Sequence, residues 1–339
     1  MNWDSIAGHA NVIEIIKRML SSGQVPHALL FTGPSGVGKM LTARILAAAM
    51  LCEGQGVSKP CGRCPACQKV VHDTHPDLVI IANGGASIKI DQVRALQHEV
   101  ALTPYYGGRR VFIMEAVEGL TAQAANSLLK LLEEPPESAM FIMTATQSHS
   151  ILPTVVSRCR IISFQPLAFT ALTDLLVARG IEAGVAAVAA RLGGGRIGAA
   201  LALLAPDGLM LRNRAVDLME ALPNGDASLI WETAGELDKL EPGELGKVFS
   251  YIAIILRDLM MISIGQRSLV FNLDLVAKLE GMVTLWNEVC LRRAWDGVKE
   301  ASRAIGANAN PRLTYEALMI KLIDAAKEGQ DVYSCRHTV

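Results

Sequence analysis

The chain has 339 residues, 51% of them apolar and 19% charged, with a net charge of −1. That length supports two or three buried cores, and the charge balance excludes a polybasic nucleic-acid protein, so any DNA contact must be local or shared with partners. The opening MNWDSIAGHA is polar and lacks a secretion-signal core, and no apolar run approaches the ~20 residues of a membrane span. A cytoplasmic protein with no membrane partner is expected.

In chain order, HALLFTG at 27–33 reads as a short buried strand running into GPSGVGKM, and KMLTARILAAAMLC then has helical apolar spacing. Strand, GxxxxGK and helix in that order are the context of a phosphate-binding loop. Gly33, Gly36, Gly38 and Lys39 are its candidate nucleotide-binding residues. Met40 stands where a Ser or Thr hydroxyl would hold magnesium, and a thioether is too soft a ligand for that ion. Further strands are expected at 77–82, 109–114 and 139–146, with helices at 90–102 and 122–134 between them. Alternation of this kind predicts an α/β domain built on a parallel sheet. EEPPES at 133–138 stops a helix before the fourth strand.

Beyond ISFQPL (162–167) the pattern is almost wholly helical. The boundaries expected are 1–166 for the α/β domain, 167–207 for a small helical unit punctuated by Gly193–Gly195, and 208–339 for longer helices. The most apolar stretch, 250–264, is interrupted by Arg257 and Asp258 and reads as a buried helix.

Cys52, Cys61, Cys64 and Cys67 are spaced C-x8-C-x2-C-x2-C. Two overlapping CxxC steps beside a fourth cysteine suit tetrahedral thiolate coordination of Zn2+, and four sulfurs leave no open position, so the site is expected to be structural. The nearby His72 and His75 are not needed as ligands. Cys159, Cys290 and Cys335 are scattered and read as free thiols.

WDSIAGHANVIEIIKRML, HALLFTGPSGVGK, the cysteine insertion, HPDL, AANSLLKLLEEPPES and LPTVVSRCRIISF together resemble bacterial clamp-loader subunits of the AAA+ class. The resemblance runs through at least 1–167. It implies an AAA+ P-loop domain with an inserted zinc module at about 52–67, a helical lid and an all-α collar for oligomerisation. It also implies gamma/tau and delta subunits as partners, with primer-template DNA and the sliding clamp reached through the complex.

The family's ATPase parts map unevenly onto this chain. In VFIMEAVEGL, Glu115 takes the position of the metal-side acid, and Ala116 that of the glutamate that activates water, which removes general-base help. Glu118, three residues on, enters only if the strand end shifts. Thr146, rather than Thr144, matches the polar γ-phosphate sensor. In GGGRIGAALALL, Gly198 occupies the arginine-sensor position and Arg196 falls two residues early. Arg158 of Ser157-Arg158-Cys159 keeps the context of an arginine that reaches a neighbour's ATP site, a contribution worth about 10³–10⁵ in rate in comparable hydrolases. Parts needed in cis are missing while the part needed in trans is kept. The expectation is therefore a stator with weak or vestigial ATP binding and no polymerase chemistry of its own. The alternatives are an active gamma/tau-type ATPase and a P-loop phosphotransferase acting on a small substrate.

Overall fold

The apolar runs pair into one sheet in the computed structural model, which describes residues 2–54, 59–82, 87–106, 108–224, 242–307 and 309–336. The strands are β1 (Ala28–Thr32), β2 (Leu78–Ile81), β3 (Arg110–Met114), β4 (Ala139–Ala145) and β5 (Arg160–Ser163). Their order is β2-β3-β4-β1-β5 and every pairing is parallel. β1, β3 and β4 are buried along their whole length because helices cover both faces.

Side chains alternate between the two faces. Leu29, Phe31, Val111, Ile113 and Ile142 join one apolar cluster with Ile45 and Leu46 of α2 (Lys39–Leu51). Leu30, Phe112, Met114 and Phe141 join the opposite cluster with Leu96 of α4 (Ile90–Ala101) and Leu128 of α5 (Ala122–Glu133). The fifth strand was not foreseen: β5 pairs with β1 alone, and only Ile162 of its four residues is buried. An edge strand with one buried side chain carries almost no periodic signal.

The chain divides into two compact units, residues 1–175 with 193–199 and residues 176–192 with 200–339. Among the described residues, the regular elements of the second unit are all helices. Its core gathers Phe249, Ile252 and Leu256 from the helix Pro242–Ser263, Trp286, and Tyr315 from the helix Pro311–Arg336. The apolar stretch expected at 250–264 lies in the first of these helices as far as Ser263, while Ile264 falls in the exposed turn after it. Its charge is accommodated locally: the fully buried Asp258 carboxylate accepts from Phe271 N (2.9 Å), Asn272 N (2.9 Å) and Asn272 Nδ2 (2.7 Å). The Arg257 guanidinium lies 3.9 Å from the Phe271 ring centroid. Among the described residues no helix is long and apolar enough to cross a membrane.

Candidate functional site

The turn that follows β1 is shaped by three glycines with positive φ: Gly33 (142°), Gly36 (81°) and Gly38 (105°). Gly33 has a second reason to be glycine, since a Cβ there would lie 2.2 Å from the Phe164 carbonyl oxygen. Gly38 caps α2, and the Thr42 hydroxyl donates back to the Gly38 carbonyl at 3.0 Å. The Lys39 ammonium turns onto its own loop, donating to Gly33 O (2.5 Å) and Pro34 O (2.9 Å). Burial holds Lys39 below its ordinary pKa, opposed by the carboxylates of Glu118 and, more weakly, Glu115. Met40 is partly buried and packs against the apolar cluster on the α2 face of the sheet.

The ends of β3 and β4 supply the neighbouring groups. Glu115 follows β3 directly, and its N–H is held by Ile81 O at 2.9 Å. Ala116 adopts a left-handed conformation (φ 51°) and opens a short 3-10 turn, Val117–Gly119. That turn carries Glu118 back to the end of β4, where one carboxylate oxygen accepts from Thr146 N at 3.0 Å and the other is buried with no partner among the described residues. The Thr146 carbonyl accepts from Gly33 N at 3.1 Å, so the sensor candidate braces the loop through its backbone. The Thr144 hydroxyl accepts from Ala116 N at 3.2 Å and is occupied structurally.

Gly198, near the start of α9 (Ile197–Leu203), lies against the loop, its N–H donating to Gly36 O at 2.9 Å. A Cβ on Gly198 would meet the Gly36 Cα at 3.1 Å, so the missing side chain permits backbone-to-backbone contact. Arg196 instead turns its Nε–H onto Gly193 O at 3.0 Å.

Arg158 lies apart from the loop, in the turn between α6 (Pro153–Val156) and β5. Its NH2 group meets Glu133 Oε1 at 2.6 Å, and its NH1 group donates to Thr154 O (2.8 Å) and Ser157 Oγ (3.2 Å). Glu133 and Glu118 are the two acids whose placement the sequence did not make plain, because each acts on a residue far away in the chain.

The four cysteines form a separate cluster suited to a metal ion, their sulfurs all within 4.8 Å of one another. Cys52–Cys64 and Cys61–Cys67 are each 4.0 Å apart, close to the about 3.8 Å edge of a tetrahedron with 2.3 Å zinc–sulfur bonds. Backbone N–H groups of Gly54 and Cys61 point at the Cys52 sulfur, that of Cys64 at Cys61, and that of Cys67 at Cys64, each at 3.4 Å. Such donors favour thiolate, and those of Arg63 and Cys64 hold the Cys61 thiol down at about 6, whereas burial pushes Cys67 upward. A Cβ on Gly54 would crowd the Cys61 sulfur at 3.1 Å. Cys67 sits on α3 (Pro65–Val71), its sulfur 3.9 Å from Ala48 O of α2. The Trp3 indole donates to Lys59 O at 2.7 Å, and Lys59 Nζ donates to Cys52 O at 3.1 Å, which clips the N-terminus to the cluster. His75 is engaged elsewhere: its Nδ1 accepts from Asp77 N at 3.1 Å, and burial keeps its pKa low.

The chain is similar to several known proteins. A sequence-family model described as "DNA polymerase III, delta subunit" matches residues 8–168. The DNA polymerase III subunit delta' of Bacillus subtilis is 28% identical over 316 residues, 92% of this chain and 95% of that protein. The subunit delta' of Pseudomonas aeruginosa is 41% identical over 138 residues, 40% of this chain and 42% of its own. The B. subtilis subunit tau is 33% identical over 163 residues, covering 48% of this chain but only 29% of tau. The chain is thus similar along nearly its whole length to a DNA polymerase III delta' subunit, and over less than half of it to tau.

Proposed function

We propose that this chain works as the delta' subunit of a replicative clamp loader within the DNA polymerase III holoenzyme, turning over little or no ATP itself. It is a rigid stator that lends Arg158 to a neighbouring subunit's ATP site while the sliding clamp is loaded onto primed DNA. The observation that supports this best is the split between parts. Met40 is packed into an apolar cluster, Ala116 offers no base and Gly198 offers no cation, while the Arg158 guanidinium lies 34% exposed at the surface of its unit.

On this reading Gly33, Gly36, Gly38, Lys39, Glu115 and Thr146 form a nucleotide cradle retained as architecture, with ATP bound weakly or vestigially. Cys52, Cys61, Cys64 and Cys67 hold a structural zinc ion that ties α3 to α2. Residues 1–166 form an AAA+ domain, 167–207 a lid and 208–339 a collar that assembles with gamma/tau and delta subunits. Primer-template DNA and the clamp are then met through the complex.

Glu118 favours a second reading, an active gamma/tau-type ATPase, because it supplies a carboxylate beside Lys39 that the strand register alone withholds. One reconstitution separates the two. The protein alone should turn over negligibly, since loss of a positioned base costs about 10²–10⁴ in rate; a turnover near ~1 s⁻¹ abolished by Lys39→Ala would establish the second reading. In the complex with gamma/tau and delta, Arg158→Ala should leave assembly intact and slow DNA- and clamp-stimulated hydrolysis at the adjacent site. Arg158→Lys should restore little, because an ammonium cannot make the planar two-pronged phosphate contact. Normal hydrolysis and loading by the Arg158→Ala complex would remove the trans role.

A further inference from the structure

We infer that Glu133 is a positioning residue for Arg158, holding the guanidinium in the pose from which it serves the neighbouring site. The inference rests on the trans role proposed above for Arg158. Glu133 is the last residue of α5, whose buried side is made by Ala124, Ala125, Leu128 and Leu132. Pro135 and Pro136 follow closely, and a residue before proline is driven out of helical conformation, which fixes where the helix ends. The Glu133 carboxylate is thereby presented outward at a defined height beside the turn that carries Arg158.

An acidic side chain in that place works against the helix, whose carboxyl end carries partial negative charge and favours cations. Glu134 adds a second acid beside it. The guanidinium of Arg158, at 2.6 Å, compensates together with Lys130 of the helix's last turn. The pair contributes little to folding, because Glu133 is 47% exposed and Arg158 34%, and ion pairs of that kind are screened and entropically costly. What it accomplishes is restriction of a long flexible side chain. NH2 is fixed by Glu133, NH1 by Thr154 O and Ser157 Oγ. No hydrogen bond to the Nε–H is formed among the described residues. Three acceptors hold NH1 and NH2 and leave the Nε–H unbonded, and an arginine ordered in advance loses less freedom when it binds an anionic acceptor. The LLKLLEEPP and SRC segments, 25 residues apart between Glu133 and Arg158, thus act as one unit.

The test uses the full complex with gamma/tau and delta, changing only this subunit, and follows stimulated ATP hydrolysis against ATP concentration. Glu133→Gln should lower kcat about three- to tenfold with KM for ATP nearly unchanged, Glu133→Asp should recover part of the loss, and the variants' melting temperatures should match wild type. Glu133→Ala combined with Arg158→Ala should be no slower than Arg158→Ala alone. If Arg158→Ala is impaired while Glu133→Gln behaves as wild type, the positioning role is wrong and the arginine's role stands. If the two losses multiply in the double variant, Glu133 acts on something other than Arg158. If Arg158→Ala itself is normal, the reading on which the inference rests fails and takes the inference with it.

Discussion

Replacing Gly33 by alanine separates a packing glycine from a ligand-binding one. The new Cβ would lie 2.2 Å from Phe164 O, so the strand end must move by about 1 Å to reach an ordinary contact. Three costs follow. An alanine held at the Gly33 φ of 142° is strained by about 1–3 kcal/mol. The displaced Phe164 breaks its hydrogen bond to Thr32 O, 2.7 Å long in the native chain. Because Phe164 is buried, an unpaired group there costs about 1–3 kcal/mol. The sum, about 2–6 kcal/mol, is a large part of the 5–15 kcal/mol that stabilises an ordinary domain. The assay is guanidinium unfolding without nucleotide, with Lys39→Met as comparator. Lys39→Met also spoils the cradle, but it exchanges two hydrogen bonds for relief of a buried charge and should change stability by no more than about 1 kcal/mol. Gly33→Ala should shift the midpoint strongly to lower denaturant. A Gly33→Ala protein with native midpoint and native slope would refute the view that this glycine is held by the Phe164 contact.

Two further outcomes follow from the geometry. Cys64→Ser should lose the bound metal and loosen α3 and the N-terminal clip while sparing the sheet; elemental analysis of the wild-type protein finding less than about half an equivalent of zinc would defeat the zinc assignment. His75 has a folded pKa below 6.5, chiefly through burial, so the unfolded chain takes up its proton first as pH falls. The His75 contribution is therefore complete above about pH 6.5 and declines as pH drops through 6.5 toward the folded value; urea titrations at pH 7 and 5 should show a smaller loss in His75→Gln, whose amide oxygen still accepts from Asp77 N.

The parts of the fold legible in the sequence are those with strong local rules. β1, β3 and β4 are apolar on both faces, α2 follows a glycine loop, and the cysteine spacing drew four sulfurs together; each announces itself within a few residues. β5 does not, because at the sheet edge three of its four side chains are left outside the core. The site shows the same divide. Gly33, Gly36, Gly38 and Lys39 were evident from spacing, whereas the return of Glu118 depends on one backbone angle at Ala116, which composition does not encode. Gly198 was legible as a missing arginine, but its contact with Gly36 is a meeting of residues 162 apart in the chain. The pairing of Arg158 with Glu133 likewise needs the sheet to bring α5 and the turn before β5 together. Asp258 shows the converse: read as a charge that disqualifies a membrane span, it proves to be the buried acceptor that organises Phe271 and Asn272.

The clip made by Trp3 also gives the cysteine cluster an optical label. The chain contains four tryptophans, and Trp3 is the sole one before residue 231. Its ring is buried, its indole N–H is bonded to Lys59 O, and Lys59 in turn reaches Cys52 O. Any event that reorganises the cysteines must therefore change the polarity and hydrogen bonding around one identifiable fluorophore. With the other three tryptophans replaced by phenylalanine, the emission wavelength of Trp3 would follow loading and stripping of the cluster in real time, with no dye attached and no other subunit needed.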